Sequence, residues 1–487
     1  MVRPLNSVLG RVLLSVPAVG AALDLDINNE DSVRKAAALV AEDLMSYYEG
    51  DKPNEIPGIL PGPPPDGDYY WWSGALLWNT LIDYGNVTGD AKYVDTVVKG
   101  LGWQLGQHKD FMPANWTAQM ANGDQALWAG AALTAAMSGL PGPSSSSSGV
   151  SDWLAPARTV GIDEFPLRLI NNGTCQGALR WQIFQFNNGY DYVDSKVEHP
   201  RLVGRVNADS CLKTATSNAA YFALAAGLAY ETKNDTLAKQ AASSYDLMTK
   251  IGLIDDDFSV FDGARVSADC KGVNMLQFSL NPGLILTGAA YMLQQTNNDE
   301  NWKKRLDGLL DHALKTFFPD GVAFEVACES SGKYTCNTDM KQYKGALHRG
   351  LGRTVQLAPH TKDTIMPVLK TSAAAAAKTC TGGENGRMCS SVWAAQGDSG
   401  SEEARKDGAA AQMDVLNALN SVLMASTSSG SSKPATGGSA SGDGGKGQGS
   451  SDAAGGNKGT PGNMGASAAV STSILLGGLF SSALALF

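Results

Sequence analysis

"AYETKNDTLAKQAA" (residues 229–242) ends one apolar, aromatic-bearing stretch, crosses a short polar turn and restarts at an acid. The same passage occurs in "DYGNVTGDAKYVDTVV" (83–98) and "YMLQQTNNDENWKKRL" (291–306). Exposed N–H groups and the helix dipole favour an acid where a helix begins. Asp90, Asp235 and Asp299 therefore read as caps or first-turn acids of helices that double back on the preceding one. Outward from these turns, "DSVRKAAALVAEDLMSYY" (31–48) offers Asp31 as a cap and places Val33, Ala37, Val40, Leu44 and Tyr48 at helical spacing. Similar patterns cover 90–106, 123–138, 215–231, 235–251, 282–295, 300–317 and 339–357. An α/β sheet would need buried Val/Ile strands between the helices, and the sequence offers little strand signal. The expected class is all-α, a toroid of paired helices around one body.

Two segments interrupt the pattern. Residues 141–170, beginning "PGPSSSSSG", read as a surface excursion, and "VEHPRLVGRVNADSCLK" (197–213) reads as an insertion carrying an unpaired Cys211. The insertion is a candidate retained intron, which transcript sequencing across it settles.

Both ends look like processing signals. Residues 1–22 combine Arg3 and Arg11 with an apolar run from Val12 to Ala22 and small residues for cleavage, as a signal peptide does. Residues 426–466 are Ser/Gly-rich and cannot bury enough apolar surface to offset their ordering entropy, so they read as a stalk. The chain then ends in an uncharged apolar tail, 467–487, the pattern of a GPI-attachment signal whose tail is removed, with the attachment residue between Ser450 and Asn457. A membrane span is the competing reading, but no basic residues follow the tail. The expected location is the secretory pathway, then the outer face of the plasma membrane, to which the family resemblance given below adds the cell wall. Residues 23–425 remain as the folded domain.

The formal net charge of −10, with no basic cluster interleaved with aromatics, excludes nucleic acid as an expected partner. Seven cysteines suit a secreted chain with disulfides, and Cys328–Cys336 and Cys380–Cys389 are close enough to close short loops. No CxxC or HxxxH spacing appears, so neither metal nor cofactor is expected. Asn86, Asn115, Asn172 and Asn234 head Asn-x-Ser/Thr sequons, candidate glycosylation sites.

"DGDYYWWSGALLW" (66–78) and "LRWQIFQFNNGYDY" (179–192) mix rings with Asn and Asp. Aromatic faces stack on sugar C–H faces while amides and acids bind hydroxyls, so these segments suit a carbohydrate cleft. For any single ring, burial in the core is the plainer reading. Glycoside hydrolysis takes two carboxylates. Asp124, in "MPANWTAQMANGDQALW" (112–128), is one candidate, although an acid in a helix's first turn also has a structural explanation. "GLIDDDFSVFDG" (252–263) offers Asp255, Asp256, Asp257 and Asp262 but reads first as a turn.

Together with "YYWW", "FFPDGVAFEVACE" (317–329), "TCNTDMKQYKG" (335–345) and "QLAPHTKDTIMPVL" (356–369), these motifs closely resemble glycoside hydrolase family 76, the fungal mannan endo-1,6-α-mannosidases. The resemblance covers roughly residues 26–425 in order. It implies an (α/α)6 barrel and action on α-1,6-mannan or GPI-anchor glycan, with a cell-wall polysaccharide as acceptor and a lipid anchor in the membrane. It also implies a site containing Trp71, Trp72, Asn122, Trp181, Asn188, Tyr190, Asp191 and Asn281 around the acid/base Asp124. The family pattern has two adjacent aspartates, nucleophile then acid/base, where this chain reads Asn122-Gly123-Asp124-Gln125. A glycine cannot be the nucleophile. The family's Tyr-Lys-Asn is Tyr192-Val193-Asp194 here, and Phe278 and Leu280 stand where Trp and Tyr are usual. Two expectations follow: a working mannosidase or transglycosidase with a substitute carboxylate, Asp191 being one candidate, or a catalytically impaired relative that binds mannan or GPI glycan.

Overall fold

Helix starts follow side-chain chemistry in the computed structural model, which describes residues 23–143, 150–170, 175–184, 186–187, 213–264, 270–329, 334–394 and 408–427. Helix α1 (Glu30–Met45) is capped by Asn29, whose side chain accepts from the Asp31 and Ser32 N–H groups, so Asp31 is a first-turn acid and not the cap. After α2 (Trp72–Thr88), Asp90 accepts from the Lys92 N–H in the turn, and α3 (Val94–Trp103) begins beyond it. Helix α4 spans Asn122–Met137. Residues 154–170 are helical, with α5 (Leu154–Arg158) and α6 (Phe165–Ile170) joined by a π-helical turn, so the segment expected to be an excursion supplies a layer of the fold. Next come α7 (Ala215–Thr232), α8 (Asp235–Lys250, capped by Asn234), α9 (Leu280–Gln295) and α10 (Glu300–Phe317, capped by Asp299). The short α11 (Val326–Glu329) precedes α12 (Tyr343–Leu357), α13 (Lys362–Lys378) and α14 (Ala409–Ser426).

Among the described residues α2, α4, α7, α9, α12 and α14 pack in that order, and α14 packs back on α2, closing a ring. The sequence explains the layering. Inner helices such as α2 and α14 are apolar on nearly every side and bury almost every residue, whereas α1, α8 and α10 bury one stripe and expose the other. Inner and outer helices alternate along the chain, so the inner ones all run the same way. This is the expected (α/α)6 barrel. Close approach within the ring needs glycine: a Cβ on Gly350 of α12 would stand 2.4 Å from the Gly283 carbonyl of α9.

The N-terminal ends of the inner helices form the mouth. A small antiparallel sheet that the helical reading did not foresee lies across part of it, pairing Thr214 with Gly263 and Gly263 with Asn274. Both expected disulfides, Cys328–Cys336 and Cys380–Cys389, are present, and Cys175–Cys270 is a third. Residues 197–212 of the insertion, Cys211 among them, lie outside the described residues, as do 1–22 and 428–487, whereas Lys213 joins the small sheet and Ser426 ends α14 rather than opening the stalk. Among the described residues no helix is long and apolar enough to cross a membrane.

Candidate active site

The mouth is assembled from first turns. Helix α4 begins where Ala121 bridges Gln182, with the Asn122 N–H bonded to the Trp181 carbonyl at 2.8 Å. This clamps the aromatic segment beside Asp124. The Gly123 N–H donates to Ser217 Oγ at the start of α7 (3.2 Å), and Thr216 Oγ1 donates to Asn281 Oδ1 at the start of α9 (2.7 Å). Glu325, just before α11, takes the Ser279 N–H and pairs with its hydroxyl. Asp339, just before α12, takes the Trp72 indole N–H on Oδ1 (3.1 Å). The Tyr343 ring lies against Trp72 and edge-on to Phe278.

Asp124 answers two demands. Its Oδ2 accepts the Ala121 N–H at 2.9 Å, a helix-start contact that Ala121, lacking an acceptor side chain, cannot reciprocate. Among the described residues its Oδ1 accepts no hydrogen bond. Burial, opposed by that N–H and reinforced by the Asp339 charge, pushes the Asp124 carboxyl up to about 7. Burial likewise raises Asp339 and Asp262 to about 6 and Glu325 to about 8. The Tyr343 phenol is pushed well above its usual value, first by burial and then by the charges of Asp339, Glu325, Asp262 and Asp124. The charges of four acids therefore bear on one phenol. Such an arrangement can hold a proton near neutral pH and release it to a ligand.

Beneath the mouth, Lys344 donates to Glu329 Oε1 (2.6 Å) and to the Ser391 carbonyl, while Asp414 accepts the Gly345 N–H (2.8 Å). Lys344 and Glu329 are fully buried, so this pair braces the start of α12 out of reach of solvent.

The expected site residues divide. Trp181 is 40% exposed on the rim, and Trp72 holds Asp339. Trp71 is a core ring instead, 2% exposed, stacked on Trp128 and bonded to Gln104, because α2 turns that face inward. Asn122 is also no free sugar contact. Its amide oxygen accepts from Arg168 (2.9 Å) and its nitrogen donates to the Arg180 and Gln182 carbonyls, so it braces the loop. Asn281 is buried beside Thr216, and among the described residues its Nδ2 has no partner. Asn188, Tyr190 and Asp191 lie outside the described residues. Asp255 forms the expected turn, accepting from the Asp257 and Ser259 N–H groups, but Asp262 belongs to the mouth. Of the sequons, Asn115 is exposed, Asn86 Nδ2 donates to Ser138, Asn234 caps α8, and Asn172 lies outside the described residues. Asp339, Glu325 and Tyr343 are site residues that the sequence reading did not single out. The one local signal was an acid and an aromatic one helical turn apart just after Cys336.

A family model described as Glycosyl hydrolase family 76 matches residues 32–200 and 203–436. The chain belongs to that family. The break in the match falls inside the segment read as an insertion. The chain is similar to the mannan endo-1,6-alpha-mannosidase DCW1 of Saccharomyces cerevisiae, 35% identical over 391 residues that make up 80% of each chain. It is similar to the crystal structure of Dfg5 from Chaetomium thermophilum in complex with glucosamine, with TM-score 0.73 and 38% identity over 82% of this chain and 92% of that one. It shares the fold of an alpha-1,6-mannanase of Salegentibacter sp. HEL1_6, with TM-score 0.57 and 14% identity over 80% of this chain and 99% of that one. That structure is an inactive variant, bound to alpha-1,6-mannotriose, in which two consecutive aspartates are replaced by asparagine.

Proposed function

We propose that this chain hydrolyses or transglycosylates α-1,6-linked mannose chains, in cell-wall mannan or in the glycan of a GPI anchor, for cell-wall biogenesis. Asp124 is the acid/base. The observation that carries the reading is the Asp124 carboxyl: tied by one oxygen, free at the other among the described residues, and raised to about 7 in the mouth. The names of the relatives support the substrate. The terminal signals support secretion, a lipid anchor on the outer membrane face, and action at the wall on a polysaccharide acceptor.

Gly123 favours a second reading, an impaired relative that binds the same glycan without cleaving it. One assay separates the two. The unaltered protein is expected to cleave α-1,6-mannan, and Asp124→Asn to lower kcat by about 10²–10⁴-fold while mannan binding persists. A Cβ at position 123 would stand 3.4 Å from Thr216 and 3.5 Å from Ser217, ordinary contact, so Gly123→Asp can be accommodated there. Turnover only in Gly123→Asp would establish the second reading.

A further inference from the structure

Cleavage of a glycosidic bond takes a second carboxyl group, and Gly123 cannot supply it. The mouth contains one suited to the task. Asp339 stands just before α12, yet it bonds to the first residue of α2, which neighbours α4 in the ring. The two acids are held alike. Asp124 is tied through Oδ2 to the Ala121 N–H, and Asp339 through Oδ1 to the Trp72 indole. Among the described residues, the second oxygen of each accepts no hydrogen bond, and both residues are partly exposed to the mouth. The other acids are placed differently. Glu325 is fully buried and both its oxygens are taken by Ser279. Asp262 is bound by Asn274 across the small sheet, and its charge bears on Tyr343; among the described residues the charge that raises Asp124 is that of Asp339.

We infer that Asp339 is the second catalytic carboxylate, a general base acting on a water that attacks the anomeric carbon while Asp124 protonates the departing oxygen. This rests on the proposed action on mannose chains. The water oxygen bonds to the anomeric carbon and its proton passes to Asp339. The glycosidic C–O bond breaks with its electron pair going to the leaving oxygen, which takes the Asp124 proton. Exchange with solvent restores both acids. Glycine at 123 leaves no side chain to compete with the water. Burial raises both carboxyls from the usual carboxylate range, which suits groups that exchange protons with a substrate and a water. A single displacement delivers the inverted anomer first.

The experiment combines turnover, product anomer by NMR and mannan binding for the unaltered chain, Asp339→Asn, Gly123→Asp and the double variant. The expected result is inverted product from the unaltered chain and a loss of at least about 10²-fold in kcat for Asp339→Asn with binding kept. The double variant should regain turnover with retained product, because a carboxylate at 123 attacks directly, and its activity rules out a folding defect. Retained product from the unaltered chain overturns the inference. So does turnover of Asp339→Asn within tenfold of the unaltered chain, or a double variant as inactive as Asp339→Asn. Mannan binding without any turnover overturns it while leaving glycan recognition standing. Loss of binding as well overturns the functional proposal itself.

Discussion

The two ends of the barrel handle buried charge in opposite ways. At the mouth, Asp124, Asp262, Glu325 and Asp339 crowd one phenol with few cations to match, and burial pushes all four upward. At the far end, Asp83 of α2 accepts from Arg349 Nε (2.5 Å) and Arg353 Nη2 (3.1 Å) of α12, two positions away in the ring. Arg349 also reaches Thr134 of α4 (3.0 Å), so the arginines tie three inner helices across the lumen. Helix dipoles favour this division, with acids near N-termini and cations near C-termini. The paired end is a closure. The unpaired end, with its free carboxylate oxygens, is where a ligand has something to do.

The closed end is the place to break the comparison with the largest effect on the fold. Asp83→Ala leaves two largely buried arginines without their counter-ion and should cost about 3 kcal/mol or more in denaturant unfolding. An effect under about 1 kcal/mol would show that the cross-lumen pairs are dispensable.

The mouth should respond to pH instead. Its acids have folded-state values of about 6 to about 8, above their unfolded values of 3.8 and 4.5. Between the unfolded and folded values the native chain holds protons that the unfolded chain has released, so stability falls as pH rises through that window. Tm should therefore decline from about pH 5 to about pH 8, and Asp339→Asn should raise Tm by about 2–4 °C at the upper end. A level Tm across that range, unchanged in the variant, would contradict the crowding of acids.

The smallest effect is expected at the rim. Trp181→Ala should weaken mannan binding about 3–10-fold by removing a stacking face, with Tm unchanged. Undiminished binding would move the glycan track away from that ring.

Much of the architecture was legible in the chain. The turn-and-acid junctions located the hairpins because capping is local, and Asp299 caps its helix as expected. At Asp31 and Asp90 the same rule was only nearly right, since a neighbouring Asn or a longer turn took the role. Asp124 could be picked out because an acid beside polar residues at a helix start is a local pattern. Asp339 could not be paired with it, since only closure of the ring brings the segment before α12 against the first residue of α2. Trp71 and Trp72, adjacent in sequence, show the limit of reading aromatics: one helical step separates a core ring from one that holds Asp339.

Helix α14 wedges between α12 and α2 and is enclosed along nearly its whole length, though among the described residues it is the last stave. During synthesis the other five inner helices must therefore wait, edges bare, until residue 426 has left the ribosome. A product stopped before residue 409 would be an open, sticky arc rather than a smaller enzyme. Manufacture of this protein is all-or-nothing at its C-terminal end.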